Sequence, residues 1–189
     1  MKLLLHACCA DCVLKFVDSI KKENLEIDEI VVYFYNPNIQ PRSEYLARLK
    51  AIQKVLEENK IELVVPDWSP KEWFKTNLPK SLFDPPKAGG QEDFKKNERC
   101  ISCWKLRLEK SFEYAKNKKF EKVSSTLLTS HYQNSEKIEE IAKKLENKYK
   151  INFLVPKQIS KDLKTKGFYK QNYCGCAWSL VEGLEVKFG

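Results

Sequence analysis

The chain has no apolar run long enough to cross a bilayer, no G-x-G-x-x-G, no G-x-x-x-x-G-K-S/T and only 6 glycines in 189 residues. The first absence excludes a helical membrane span, which needs about 20 apolar residues in succession. The start, "MKLLLHACCADC", has one lysine and three leucines before His6, too short for the apolar part of a signal peptide. A cytoplasmic protein is expected. The missing glycine motifs argue against a dinucleotide or ATP phosphate cradle, and the turn after the first apolar run has no glycine at all. There is no repeat and no low-complexity tract. Histidine is scarce, with only His6 and His131. A lone histidine beside an apolar strand is usually a hydrogen-bonded core residue, so His6 is given no catalytic role.

Cysteine is what the chain has instead: 7, an odd number, in a compartment that keeps thiols reduced. Location and count argue against a structural disulfide set, and metal binding or redox chemistry leads. The 34 Lys plus Arg against 26 Asp plus Glu give +8, with lysines gathered in "KNKKF", "KKLENKYK" and "KDLKTKGFYK". Such charge suits an anionic partner, nucleic acid in particular, and equally suits solvated helix faces. With 42% apolar residues the chain can bury a core without staples.

Short apolar runs alternate with segments of helical period, the pattern of a parallel sheet covered by helices. Strands are expected at Lys2–Ala7, at Ile30–Tyr35, from Ile61 in "IELVV", near "VSSTLL" and in "NFLVP". Helices are expected through Val13, Phe16, Val17 and Ile20; over Ser43–Asn59; from the capping-box start "SPKE"; around "ERCISCWKLRLEKSFEYA"; and through Ile138, Ile141 and Leu145. Residues 77–96 carry little periodicity and read as a loop or lid, and 168–180 as mixed short helix and turn. The expected architecture is α/β: one domain over 1–189, doubly wound, with a mainly parallel sheet of about five strands. In such folds ligands sit beyond the carboxyl ends of the strands. Cys8, Cys9, Asn36 and Ser130 all follow predicted strands, which would gather them at one edge.

The thiols fall into three groups: Cys8, Cys9 and Cys12; Cys100 and Cys103; Cys174 and Cys176. In "CISC" the two sulfurs share one helix face. Cys8 and Cys9 are adjacent and can converge only where a strand turns into a helix. Four thiolates are the usual demand of a [4Fe-4S] cluster or a structural zinc. The spacing is not the paired C-x-x-C of a zinc ribbon, and a domain of this size needs no metal to fold, so iron-sulfur is preferred. In "YCGC" a disulfide would close a small, strained and therefore oxidising ring. Cys174 and Cys176 would either cycle between dithiol and disulfide or bind a second metal with Asp11. Tyr169, Tyr173 and Trp178, beside the basic tail, would stack on a base or fill the core.

Together "LLHACCADC", "YFYNPNIQPRSEYLARL", "ERCISCWKLRLE", "STLLTSHYQN" and "FYKQNYCGCAWS" resemble the QueH type of epoxyqueuosine reductase, in order from Lys2 to Ser179. The resemblance implies a nucleotide-binding hydrolase-like (Rossmann-like) fold. It also implies reduction of epoxyqueuosine to queuosine at the wobble position of the tRNAs for Asp, Asn, His and Tyr, with electrons from an unidentified donor. It further implies Cys8, Cys9, Cys100 and Cys103 as [4Fe-4S] ligands and Cys174 with Cys176 as a redox pair. Cys12 also fits the family pattern. The commonest form has proline where this chain has Asp11. A carboxylate there would make Asp11, Cys12, Cys174 and Cys176 candidates for a second, mononuclear iron. Asn36, Asn38, Arg99, Arg107 and Gln171 lie in matching motifs and are the candidates for holding substrate. The two arginines would either fork a phosphate or form salt bridges with Glu98 or Glu109.

Two readings of other classes stand beside this one. An iron-sulfur tRNA sulfur-transfer enzyme would need an ATP site, against which the missing glycine-rich turn argues. A zinc-bound RNA-binding module would be colourless and without catalysis.

Overall fold

Leu3, Leu4 and Leu5 are all fully buried. A strand apolar on both faces belongs in the middle of a covered parallel sheet. In the computed structural model, which describes residues 1–77, 96–130, 133–160 and 163–188, this strand (β1, Lys2–His6) lies at the centre. It pairs in parallel with β2 (Glu29–Tyr33) on one side and β4 (Lys122–Ser125) on the other. The outer strands are β3 (Glu62–Val64) and β5 (Asn152–Phe153), and the order is β3-β2-β1-β4-β5, parallel throughout.

Successive β1 residues point to opposite faces. Leu3 and Leu5 enter a core with Phe16 and Ile20 of α1 (Ala10–Lys22) and Ile52 and Leu56 of α2 (Arg42–Asn59). Leu4 enters a second core, with Leu108 and Phe112 of α4 (Lys96–Asn117) and Ile138 and Leu145 of α5 (Ser135–Tyr149). The sheet is thus covered on both sides, as expected of a doubly wound fold. Two further helices, α3 (Pro70–Asn77) and α6 (Ala177–Phe188), complete the described chain. In this strand order the crevice at the topological switch lies beyond the carboxyl ends of β1 and β4.

Several boundaries differ from the expectation. The strand near "VSSTLL" stops at Ser125, because the Ser125 hydroxyl caps a 3-10 helix over Thr126–Thr129, accepting from Leu127 N–H at 3.2 Å. In "NFLVP" the strand covers only Asn152 and Phe153, beside a β4 that ends early, although Leu154 N–H still donates to Val123 O at 2.8 Å. The second strand ends at Tyr33, although Phe34 N–H still donates to Val64 O at 2.9 Å. The helix begun by "SPKE" starts at Pro70, as its capping-box start implies. Of the loop or lid expected at 77–96, residues 78–95 lie outside the described residues, as does His131.

Candidate metal and catalytic site

After His6 the chain passes from strand to helix in three residues, Ala7 to Cys9. Cys9 is extended (φ −162°, ψ 155°), so the turn needs no glycine, and its sulfur takes the N-cap role, accepting from Cys12 N–H at 3.3 Å. Cys12, three residues into the helical spacing, lies over the same end. Across the switch point, Thr126 holds Cys8: its Oγ1 accepts from Cys8 N–H at 3.3 Å and lies 3.7 Å from Cys8 Sγ. The three sulfurs lie within 4.8 Å of one another, all buried. Hydrogen bonds from Cys12 and Cys9 hold the Cys8 thiol well below its ordinary range. The contact with Cys8, with burial, pushes Cys12 well above it. In Cys9 the pull of Cys12 is outweighed by Cys8 and burial, which push it to about 12. Among the three, ionisation is favoured at Cys8 and opposed at Cys9 and Cys12.

A second set of thiols meets the first at Arg107. Arg107 on α4 is 1% exposed. Its Nη2 donates to Asn36 Oδ1 at 2.8 Å and its Nε to His6 Nε2 at 3.4 Å. Among the described residues no carboxylate pairs with this guanidinium. Burial works against its charge, and the sulfurs of Cys103, Cys8 and Cys174 favour it to the extent that they are thiolates. Burial pushes Cys103 up against the pull of Arg107. The Trp73 indole N–H, also drawing Cys103 toward thiolate, has no other acceptor among the described residues. Cys100 is driven to about 11 by burial and then by Cys174 and Cys103. A buried cation and an orphaned buried donor facing sulfur suit thiolates, the form in which cysteine binds metal.

The third set lies on the segment before α6. Gln133 is oriented by Trp104, whose Nε1–H donates to Gln133 Oε1 at 2.5 Å, and Gln133 Nε2 then donates to Cys174 Sγ at 3.3 Å. The hydrogen bond from Cys174 brings the Cys176 thiol down to about 7, against burial. Ser179 N–H also donates to Cys176 Sγ, at 3.4 Å.

The structure brings Cys8, Cys9 and Cys12 into one tight group and sets Cys8, Cys103 and Cys174 around Arg107. Asp11 is committed to other partners: it pairs with Lys15 at 2.9 Å and Lys170 at 3.2 Å and accepts from Thr165 Oγ1. Burial pushes Asp11 up, but these three partners outweigh it and keep the carboxylate low. Beside Asp11 lies a cavity of about 210 Å³ with Cys12, Lys15, Thr129, Lys170 and Gln171 in its wall. Asn36 is buried, with its Nδ2 donating to Ala7 O at 2.7 Å. Asn38 is fully buried, with neither side-chain polar atom partnered among the described residues. Arg99 reaches across to α6, pairing with Glu182 at 2.5 Å and lying 4.9 Å over the Trp178 ring, rather than pairing with Glu98. Arg107, inward-facing, pairs with no glutamate among the described residues and presents almost no surface. His6 is wholly buried between Ser125 Oγ at 2.8 Å and Tyr35 O at 3.2 Å.

Sequence reading passed over Arg48, Trp73, Gln133 and Thr126. Arg48 had a signal: with Glu44 it falls on the helix face otherwise given by Tyr45, Ile52 and Val55, where a charge must find buried partners. Its guanidinium donates to the backbone oxygens of Tyr173 and Cys174, each at 3.1 Å. The other three act through tertiary contacts that no local pattern marks.

The family model described as "Epoxyqueuosine reductase QueH" matches residues 3–182. Relatives named epoxyqueuosine reductase QueH include those of Thermotoga maritima, Histophilus somni and Dehalococcoides mccartyi. They are 34%, 30% and 30% identical to this chain over 97%, 95% and 96% of its length. The alignments cover 92%, 72% and 93% of those proteins.

Proposed function

The chain belongs to the epoxyqueuosine reductase QueH family and reduces epoxyqueuosine in tRNA queuosine biosynthesis; on that premise we propose that it does so with iron held by the thiols gathered at the β1–β4 switch point. The observation that carries the proposal is the group of three buried sulfurs, of Cys8, Cys9 and Cys12, within 4.8 Å of one another, with Arg107 a 1% exposed cation that has no carboxylate partner among the described residues. Cys8 and Cys9 with Cys100 and Cys103 would hold a [4Fe-4S] cluster. Cys12, Cys174 and Cys176 are left for a second iron, which Asp11 would join only by giving up Lys15, Lys170 and Thr165. When bound, such a centre supplies electrons one at a time.

Turning the epoxide into an alkene releases its oxygen as water and takes up two electrons and two protons. The chain's own groups have defined parts in this. Arg107 stabilises charge on the sulfurs, and Gln133 and Ser179 hold the two sulfurs of the C-G-C segment. A second route uses these sulfurs directly. Cys174 and Cys176 each lose a proton and together two electrons as they form a disulfide, which balances the loss of water. The influence of Cys174, which draws the Cys176 thiol down to about 7, favours this route, because the thiolate is the nucleophilic form. An electron donor outside the chain would then restore the dithiol.

The substrate is tRNA carrying epoxyqueuosine, and the tRNAs for Asp, Asn, His and Tyr are the proposed acceptors. Net charge of +8 suits a phosphate backbone, and binding should weaken as salt rises. The cavity beside Asp11 and Gln171 adjoins Cys12 and is the proposed entrance for the modified base. No described helix is long and apolar enough to cross a membrane, and action in the cytoplasm is proposed.

An anaerobic absorbance spectrum with iron and sulfide analysis, followed by turnover of epoxyqueuosine tRNA, tests this reading. A broad visible band that bleaches with dithionite, together with queuosine formation, is expected. A colourless protein that keeps only zinc after anaerobic reconstitution would overturn the iron-based reading.

A further inference from the structure

The segment carrying Cys174 and Cys176 has almost no apolar anchorage. Neither of these cysteines, nor Tyr169 or Tyr173, belongs to the two apolar cores or packs among their partly buried neighbours. Its position depends on polar bonds, and apart from that of Gln133 to Cys174 Sγ these converge on α2 and the residues leading into it. Arg48, 1% exposed, donates Nε to Glu44 Oε1 at 2.7 Å, Nη1 to Cys174 O at 3.1 Å and Nη2 to Tyr173 O at 3.1 Å. The guanidinium lies 5.5 Å from the Tyr173 ring centroid. Tyr169 O–H donates to Glu44 Oε2 at 2.5 Å, Tyr173 O–H to Gln40 O at 2.7 Å, and Gln40 N–H to Gly175 O at 2.7 Å.

Gly175 is required here on two counts. Its φ of +110° lies where side chains are strained, and a Cβ would stand 2.9 Å from Arg48 Nη2. The glycine between the two thiols is therefore the residue that lets the guanidinium reach the carbonyls on its near side.

We propose that Arg48 is a positioning residue for the reaction: it clamps the Tyr173–Cys176 segment onto α2 and so fixes where Cys174 and Cys176 stand relative to Gln133 and Cys103. The proposal rests on the reading that these two thiols belong to the reductase site. A planar guanidinium offers donors in a rigid fork, so that one side chain meets Glu44 and two successive carbonyls at once. An ammonium keeps the charge but lacks the fork. Both carbonyls would otherwise be left without partners in a part-buried place.

The test uses the full-length holoprotein and two variants, Arg48→Lys and Gly175→Ala. The second leaves the Arg48–Glu44 pair in place and pushes on the clamp from the other side. Each thiol is followed separately by anaerobic iodoacetamide labelling and peptide mass spectrometry, alongside steady-state kinetics on epoxyqueuosine tRNA. The expected result in both variants is labelling of Cys174 and Cys176 faster by about tenfold, with Cys8, Cys9 and Cys12 unchanged. Turnover should fall by about 100-fold in kcat with KM little altered, because misplaced groups cost rate rather than binding.

Unchanged labelling of Cys174 and Cys176 would overturn the proposal, and so would a rise shared by all the thiols, which signals general loosening. If Arg48→Lys does not fold, Gly175→Ala decides by the same criteria. A wild-type protein without reductase activity would sink the reductase reading alone, since the labelling pattern still decides whether the clamp exists.

Discussion

Arg107 Nη2 donates to Asn36 Oδ1 at 2.8 Å, and the same asparagine donates Nδ2 to Ala7 O at 2.7 Å. A guanidinium on α4 is thereby tied through one amide to the residue that leads into Cys8 and Cys9. The amide cannot be reversed without losing both bonds, so its orientation is set by its neighbours. The tie joins the "CISC" helix to the strand-to-helix turn and places a fixed positive charge between their sulfurs.

Arg107→Ala should therefore act on stability and on metal together. It removes a buried charge whose partners remain, and the expected loss is about 3 kcal/mol in chemical denaturation. Iron bound per chain should fall with it. Arg107→Lys keeps the charge without the fork and should lie between the two. An Arg107→Ala protein with wild-type stability and iron content would show that the guanidinium does not serve the sulfurs.

Cys9 separates two roles of one sulfur. It caps α1 by accepting from Cys12 N–H, and it is one of three thiols within 4.8 Å. Serine retains the cap, whereas alanine does not, so the metal-free Cys9→Ala protein should be less stable than metal-free Cys9→Ser by about 1 kcal/mol. Both should lose iron if Cys9 is a ligand. Thermal melts of the metal-free proteins, with iron analysis of the reconstituted ones, check the pair. Equal melting points would mean that the N-cap bond contributes nothing.

Much of this fold is legible in the chain. Apolar triplets such as Leu3–Leu5 mark the central strand, and the 3.6-residue recurrence of Tyr45, Ile52 and Leu56 marks α2. The place of Cys8 and Cys9 at a strand end is legible too, because alternating elements imply a doubly wound sheet with its ligand edge at the strands' carboxyl ends, whereas the strand order is not. The arginines are harder. Arg48 and Arg107 each stand in a helix with abundant charge, and their partners are 126 and 71 residues away in sequence. Nothing local distinguishes an arginine that faces solvent from one that turns inward, except its place among apolar neighbours on the helix wheel. The grouping of Cys12 with Cys8 and Cys9 is visible in the spacing, but the cap that fixes it, Cys9 accepting from Cys12 N–H, is decided only where the strand actually ends.

Glu72 gives a pH signature away from the thiols. It accepts from the Tyr35 hydroxyl at 2.5 Å and pairs with Lys110 at 3.2 Å, tying α3, and with it Trp73, to α4. Burial pushes its carboxyl up, but Tyr35 and Lys110 outweigh this and hold it below the usual range. The folded state thus prefers the ionised carboxylate, and the stabilisation present at neutral pH is lost as pH falls through the carboxylate range. With the Glu72 side chain 38% exposed, solvent screening keeps the effect at about 1 kcal/mol or less. Denaturation of wild type and Glu72→Gln should differ most near neutral pH and converge in acid. A difference that grows in acid would reverse the sign of the argument.

Asn38 offers the sharpest separation of stability from function. It is 0% exposed, and neither its Oδ1 nor its Nδ2 has a partner among the described residues. Leaving such an amide buried and unpaired costs the fold about 1–3 kcal/mol, and an apolar side chain of similar size would avoid that cost. If Asn38 is kept for a substrate it meets only in the complex, Asn38→Leu should be at least as stable as wild type while kcat/KM on epoxyqueuosine tRNA falls by about tenfold or more. Melting temperature and steady-state kinetics on the same preparation check both halves. A variant that is less stable yet equally active would mean that the amide is satisfied within the folded chain and serves its packing alone.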